Sequence, residues 1–250
     1  MSETNRGRAA AADETTDQII ARREGDLPVP PRTVPRSTLD REEREIKDML
    51  LRTSSLVGAA IVDTVEALET HDAARAVVVV EGDAEVNALT AAAIEEIIST
   101  IATQSPVARD LRFLLTLYDV AMELERIGDY VANVAKRARD LAPDPTLSAS
   151  TGVLQMGRLA VEILGDVMRA LVDSDVELAR RTASRDDEMD VLYHRATREL
   201  TVLSKQEAAN VDRAALLLFA AHYLERVGDR VTNIAEDVVF LATGVREDLN

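Results

Sequence analysis

The stretch LERIGDYVANVA, Leu124 to Ala135, returns one hundred residues later as LERVGDRVTNIA, Leu224 to Ala235. A repeat of this kind means two copies of one supersecondary unit. In each copy two carboxylates, Glu125 and Asp129 or Glu225 and Asp229, stand four residues apart, with Asn133 or Asn233 four further on. On a helix that spacing makes one stripe, and like charges at i and i+4 destabilise it unless something offsets them. A cation would. Each copy also keeps a mid-helix glycine, Gly128 or Gly228, which costs about 1 kcal/mol against alanine and so implies close approach of a neighbour.

Around this motif the pattern is helical throughout. Ile46, Met49, Leu50, Leu56, Val57, Ala60, Ile61, Val65 and Leu68 keep a three-to-four-residue period, which predicts a first amphipathic helix ending near Thr70 and capped by Ser37 or Asp40. A second helix is expected over Asp72 to Gln104, bent at Gly82. A third, over 107–141, would start at a Ser105-Pro106 cap and end at Pro143 and Pro145. The second half repeats the plan: about Leu147 to Val172, a Ser174-Asp175 cap into a helix reaching Ser204, and a last helix from Asn210 to Ala242. No segment has strand period. The fold class is all-α, two tandem three-helix bundles, with a disordered tail over 1–36 and repeats over 37–142 and 146–244. The tail holds four of the seven prolines, and its six Arg balance its six Asp and Glu.

The middle helices align too: Gly82-Asp83-Ala84-Glu85-Val86-Asn87 matches Arg185-Asp186-Asp187-Glu188-Met189-Asp190. An up-down-up bundle makes second and third helices neighbours. Asp83 and Asn87 would then face Glu125 and Asp129, and Asp186 and Asp190 would face Glu225 and Asp229. Solvated faces, with Arg126 and Arg226 bridging to Asp129 and Asp229, are the plain alternative. The joint recurrence of four pairs in repeat register, with both glycines, favours a cation. Oxygen donors without thiolate suit Mg²⁺, Mn²⁺ or Ca²⁺, and carboxylates with an occasional imidazole suit iron. His194, at i+4 from Asp190, and His222, at i−3 from Glu225, are further candidates that would bias the second site towards iron or zinc. His71, beside a cap, reads as structural, and Phe113, Phe219 and Phe240 as core.

Other classes are excluded. With no Cys, disulfides and thiolate sites are absent. Lys and Arg total 29 against 45 Asp and Glu, a net charge of −16 that repels phosphate backbones and anionic membranes. No signal peptide or membrane span is visible, so a cytoplasmic protein without membrane insertion is expected. No phosphate loop, GxSxG or thiol nucleophile occurs, and a ferritin-like di-iron oxidase would need Glu-x-x-His on two helices where only a reversed His222-x-x-Glu225 stands. No catalytic residue is assigned. A metal-storing or metal-dependent oxidase bundle is the rival reading.

With the doubled LER(I/V)GD followed by Asn four residues after the Asp, the chain from about Ser37 to Gly244 resembles the PhoU family of phosphate-signalling regulators. The resemblance implies a cytoplasmic, usually dimeric, non-enzymatic protein. Such a protein restrains the phosphate-starvation response, between a high-affinity phosphate ABC transporter, through its ATPase subunit, and a membrane sensor histidine kinase. It also implies multinuclear metal clusters, commonly iron or zinc with magnesium or manganese as alternatives. Their ligands would be Asp83, Asn87, Glu125 and Asp129 for one and Asp186, Asp190, Glu225 and Asp229 for the other, with Asn133 and Asn233 flanking. Many members carry an acidic or glutamine-rich patch midway along the first helix, where this chain reads Leu-Val-Gly58-Ala59-Ala60. A paralogue serving another transporter or a stress response shares all these features.

Overall fold

Asp72 and Asp175 do what their sequence context dictates: each accepts a hydrogen bond from the backbone N–H three residues on, Arg75 at 3.0 Å and Leu178 at 2.9 Å, and so starts a helix. The structure, a computed structural model, describes residues 36–143, 151–208 and 210–249. They form seven helices: α1 (Arg36–Thr70), α2 (Ala73–Gln104), α3 (Arg109–Leu141), α4 (Thr151–Asp173), α5 (Val176–Ala183), α6 (Asp186–Ser204) and α7 (Asn210–Thr243). No strand occurs among the described residues. The expected tail falls on residues 1–35, outside the described ones; Arg36 is already helical.

Several local expectations fail. α1 already includes Arg36, so neither Ser37 nor Asp40 caps it, and Leu39, 3% exposed, packs its first turns into the core. Ser105 closes α2 rather than opening α3: it is left-handed, φ 47°, and its N–H returns to the Ile101 carbonyl. Pro106 therefore lies in the linker, and α3 begins at Arg109. α2 runs unbroken through Gly82, whereas its second-half counterpart breaks at Ser184–Arg185, a sequence without Gly or Pro. There the Arg185 guanidinium grips Glu162 at 2.7 Å and Asp166 at 3.7 Å on α4, pinning the start of α6 to a neighbour. Phe219 is 55% exposed, not core.

Residues 37–250 form one compact unit. Within the halves α2 lies along α3 and α6 along α7; between them the longest contact is α3 against α7. These two run antiparallel: Glu123 meets Arg230 and Tyr130 meets Tyr223. The motif centres thus cross at Ile127 and Val227, both fully buried. α1 and α4 also run antiparallel, joined by the Lys47 ammonium donating to the Val172 carbonyl at 3.1 Å and by Glu69 with Arg158 at 3.2 Å. The apolar stripes of α1, α3, α4 and α7 supply a continuous core. Buried Leu, Ile and Val each contribute about 1.5–3 kcal/mol. No helix among the described residues is long and apolar enough to cross a membrane.

Candidate metal centres

The motif glycines do bring their neighbours close. A Cβ at Gly128 would lie 3.1 Å from Val86 Cγ1 and 3.4 Å from Asp83 Oδ1; at Gly228 it would lie 2.7 Å from Asp186 Oδ1 and 3.3 Å from Met189 Cγ. The glycines let the second-helix carboxylate descend onto the third helix, level with the motif's own carboxylates.

In the first half the Asn87 amide donates to Asp83 Oδ2 at 3.2 Å, and burial with the charge of Asp129 raises the Asp83 carboxyl above its ordinary pKa. Glu125 is raised for the same reasons, burial first, then Asp129 and Asp83. Lys136, seven residues beyond Asp129, counters the field on Asp83, and its ammonium donates to Asn133 Oδ1 at 3.1 Å. Asn133 is thus already engaged. Lys136 stands outside the repeated motif, and the signal that marks it is its place on the same stripe, three residues after Asn133.

In the second half Asp186 is pushed up to about 6 by burial and then by Asp229, Asp190 and Glu225. Glu225 is raised by burial and Asp229, with His222 and Arg226 opposing. His222 Nδ1 stands 3.7 Å from Glu225 Oε2. His194 is exposed and tilts against Tyr193. Asn233 is half-buried on α7, one turn past Asp229. The predicted Arg226–Asp229 bridge forms at 3.3 Å, but Arg126 turns back to Glu123 at 2.9 Å instead of reaching Asp129.

Both sets of four sequence-predicted residues are therefore juxtaposed across α2–α3 and α6–α7. Oxygen donors, and buried oxygens lacking a hydrogen bond at Asp83 Oδ1, Asn87 Oδ1 and Glu225 Oε2, fit a hard or borderline cation. Buried acceptors of this kind normally have partners. The donors are not closed, however: among the described residues no three His, Asp and Glu side chains converge tightly enough to enclose an ion. α1 adds little. Beside Asp83 and Gly128 it lines a cleft of about 190 Å³ with Leu56, Val57, Ala59, Ala60 and Asp63, and Asp63 is taken by Arg75 at 2.6 Å.

The repeat seen in the motif and in the helices is matched twice by the PhoU domain pattern, over residues 50–138 and 153–238. The chain belongs to the PhoU family. A phosphate-specific transport system accessory protein PhoU homolog from Clostridium acetobutylicum is 32% identical over 216 residues, 86% of this chain and 99% of that protein. Another, from Deinococcus radiodurans, is 37% identical over 165 residues, 66% and 78% of the two chains. The crystal structure of PhoU from Pseudomonas aeruginosa superposes with a TM-score of 0.78 at 30% identity, covering 82% of this chain and 99% of that one. The phosphate transport system regulatory protein PhoU from Streptococcus pneumoniae gives 0.78 at 28% identity, with 84% and 99% covered. The family assignment and the tandem-bundle fold expected from the sequence are both met.

Proposed function

We propose that this protein is a non-enzymatic, cytoplasmic regulator of phosphate transport that restrains the phosphate-starvation response. Its partners would be the ATPase subunit of a phosphate ABC transporter and a sensor histidine kinase, and it would act as a homodimer. The observation that carries this reading is the match of the PhoU domain to both halves. Its support is the near-complete coverage of relatives named as accessory proteins of phosphate-specific transport. The helical frame suits an adaptor: long rods, a compact core and a strongly acidic exterior.

The carboxylate sets are read as structural cation sites. Asp83, Asn87, Glu125 and Asp129 would hold one cation or cluster, and Asp186, Asp190, Glu225 and Asp229 the other, with His222 supplementary in the second. A bound cation, iron or zinc by analogy with the family and manganese or magnesium by donor chemistry, supplies positive charge between adjacent helices. The chain's own contribution is to hold those donors in place, through the Gly128 and Gly228 approaches and the Arg185 anchor.

A deletion strain with a phosphatase reporter, and a pull-down of the transporter ATPase and the kinase, test the adaptor. Derepression under replete phosphate and retention of either partner are expected; an unchanged reporter with no retained partner would refute it. Elemental analysis tests the sites: Asp229→Ala and Asp129→Ala should each lower bound metal and thermal stability together. Unchanged metal in both returns the stripes to solvated faces, and rapid oxygen consumption with ferrous iron would instead favour the oxidase.

A further inference from the structure

Arg230 occupies the motif position held by Tyr130 in the first half. Its guanidinium lies between two carboxylates: Nη1 is 3.4 Å from Glu123 Oε2 across the α3–α7 seam, and Nη2 is 3.9 Å from Asp229 Oδ2 on its own helix. The side chain is 17% exposed. Nε is buried without a partner. Charge-assisted contacts of this type reach about 2.7–2.9 Å when satisfied, so the cation is divided between two anions and fully paired with neither. Glu123, 8% exposed, also accepts from Arg126 at 2.9 Å. The chain Asp229, Arg230, Glu123, Arg126 therefore runs from the second carboxylate cluster into the first half of the molecule.

We infer that Arg230 couples occupancy of the α6–α7 carboxylate cluster to the seam between the halves, giving up Asp229 to a bound divalent cation and closing fully on Glu123. This rests on the cation reading above. The oxygen that Arg230 approaches belongs to a donor of that cluster, and two cations next to one carboxylate repel. Released from Asp229, the guanidinium has a buried anion on its other side, where a closed charge pair recovers more of the desolvation cost than a partly closed one. The repeat-equivalent of the Glu123–Arg230 pair is the Tyr130–Tyr223 stack, centroids 6.1 Å apart, and Arg226 joins this stack to the same carboxylate: it pairs with Asp229 at 3.3 Å and lies over the Tyr130 ring at 6.0 Å. Both seam contacts thus reach Asp229 through an arginine. Asp129 has no such link: Arg126 turns to Glu123, and Tyr130 stands where the second arginine would be.

The chain has no Trp and four Tyr, so ultraviolet emission from a Tyr118→Phe/Tyr193→Phe background reports the Tyr130–Tyr223 seam alone. In this full-length background Zn²⁺ binding is followed by equilibrium dialysis and tyrosine emission together. Emission should change with the midpoint of binding. Arg230→Met keeps the apolar stem, removes the competing charge and should tighten zinc about threefold to tenfold while reducing the emission change. Glu123→Gln, a near-isosteric change, leaves Arg230 to Asp229 alone and should weaken zinc by a similar factor. Linkage requires these opposite signs if site and seam are coupled. Zinc bound with equal affinity by all three proteins overturns the coupling and leaves the cation reading standing; no zinc bound by the parent overturns both.

Discussion

The two halves carry one twelve-residue motif and surround it with different charges. Around Asp83, Glu125 and Asp129 the balance comes from an amide, Asn87, and an ammonium, Lys136. Around Asp186, Glu225 and Asp229 the amide has become Asp190, Lys136 has become Glu236, and compensation comes from His222 and from Arg226 and Arg230, the two arginines lying on the seam side. Farther along, Arg137 of the first half is replaced by Asp237. The repeat fixes where oxygens point. The flanking substitutions decide how much unbalanced negative charge each set retains, and the second half retains more.

The largest expected consequence lies at Asp237, 6% exposed at the α3–α7 seam. The groups facing it are Asp119 and Glu123 from α3, Glu236 from α7, and Arg246 of the C-terminal segment, 4.0 Å away. Burial, then Asp119, push its carboxyl up to about 7 against an ordinary 3.8. A carboxyl raised in the folded state binds its proton more tightly there than in the unfolded chain. Stability is therefore full below about pH 4 and is lost as pH rises through 7. Asp237→Asn should raise stability at pH 8 by about 2–4 kcal/mol and change little at pH 4, measured by denaturant melts at both. The same amide placed at the equivalent position, Arg137→Asn, should lack this pH dependence. An Asp237→Asn gain that is the same at both pH values would break the contrast.

The carboxylate sets come next. In chelator-treated protein Asp186→Asn should stabilise at pH 8 by about 1–2 kcal/mol, since solvent screens part of the repulsion at this half-buried carboxylate. Asp83→Asn should do so less, because the Asn87 hydrogen bond and then Lys136 already offset its charge. With a saturating divalent cation the sign should invert for Asp186→Asn, since a donor is lost. Thermal melts with and without cation read both effects. Equal gains from the two variants in chelator would mean that the flanking charges do not distinguish the halves.

Which parts of this were legible in the sequence follows from range. The Asp72 and Asp175 caps, the helical period and the close approach at Gly128 and Gly228 involve residues a few positions apart or a repeat register, and all were visible. The break at Ser184–Arg185 was not, because Arg185 is held by Glu162 and Asp166 of α4, a tertiary contact overriding local propensity. Ser105 suits either a cap or a left-handed stop, and local sequence does not distinguish the two. The seam was invisible for a topological reason: without the antiparallel crossing of α3 and α7, nothing pairs Glu123 with Arg230 or Tyr130 with Tyr223.

The smallest expected effect is the sharpest test of the comparison, because it exchanges the residues that set it. Lys136 is half-buried, and its ammonium makes one hydrogen bond, to Asn133, within its own helix. A single hydrogen bond of this kind contributes about 0.5–1.5 kcal/mol, so Lys136→Glu should cost no more than that by denaturant melt at pH 7. Its electrostatic effect should still be visible. With the counter-charge reversed, the Asp83 carboxyl, already raised by burial and Asp129, should move further up in a carboxyl-carbon NMR titration, towards the behaviour of Asp186. Glu236→Lys should not produce the converse at Asp186, because Glu236 is turned to the chain's end, where its Oε1 accepts from the Leu249 N–H at 3.0 Å. If the two exchanges shifted their clusters by equal and opposite amounts, the halves would differ by sequence alone; the structure requires that only the first respond.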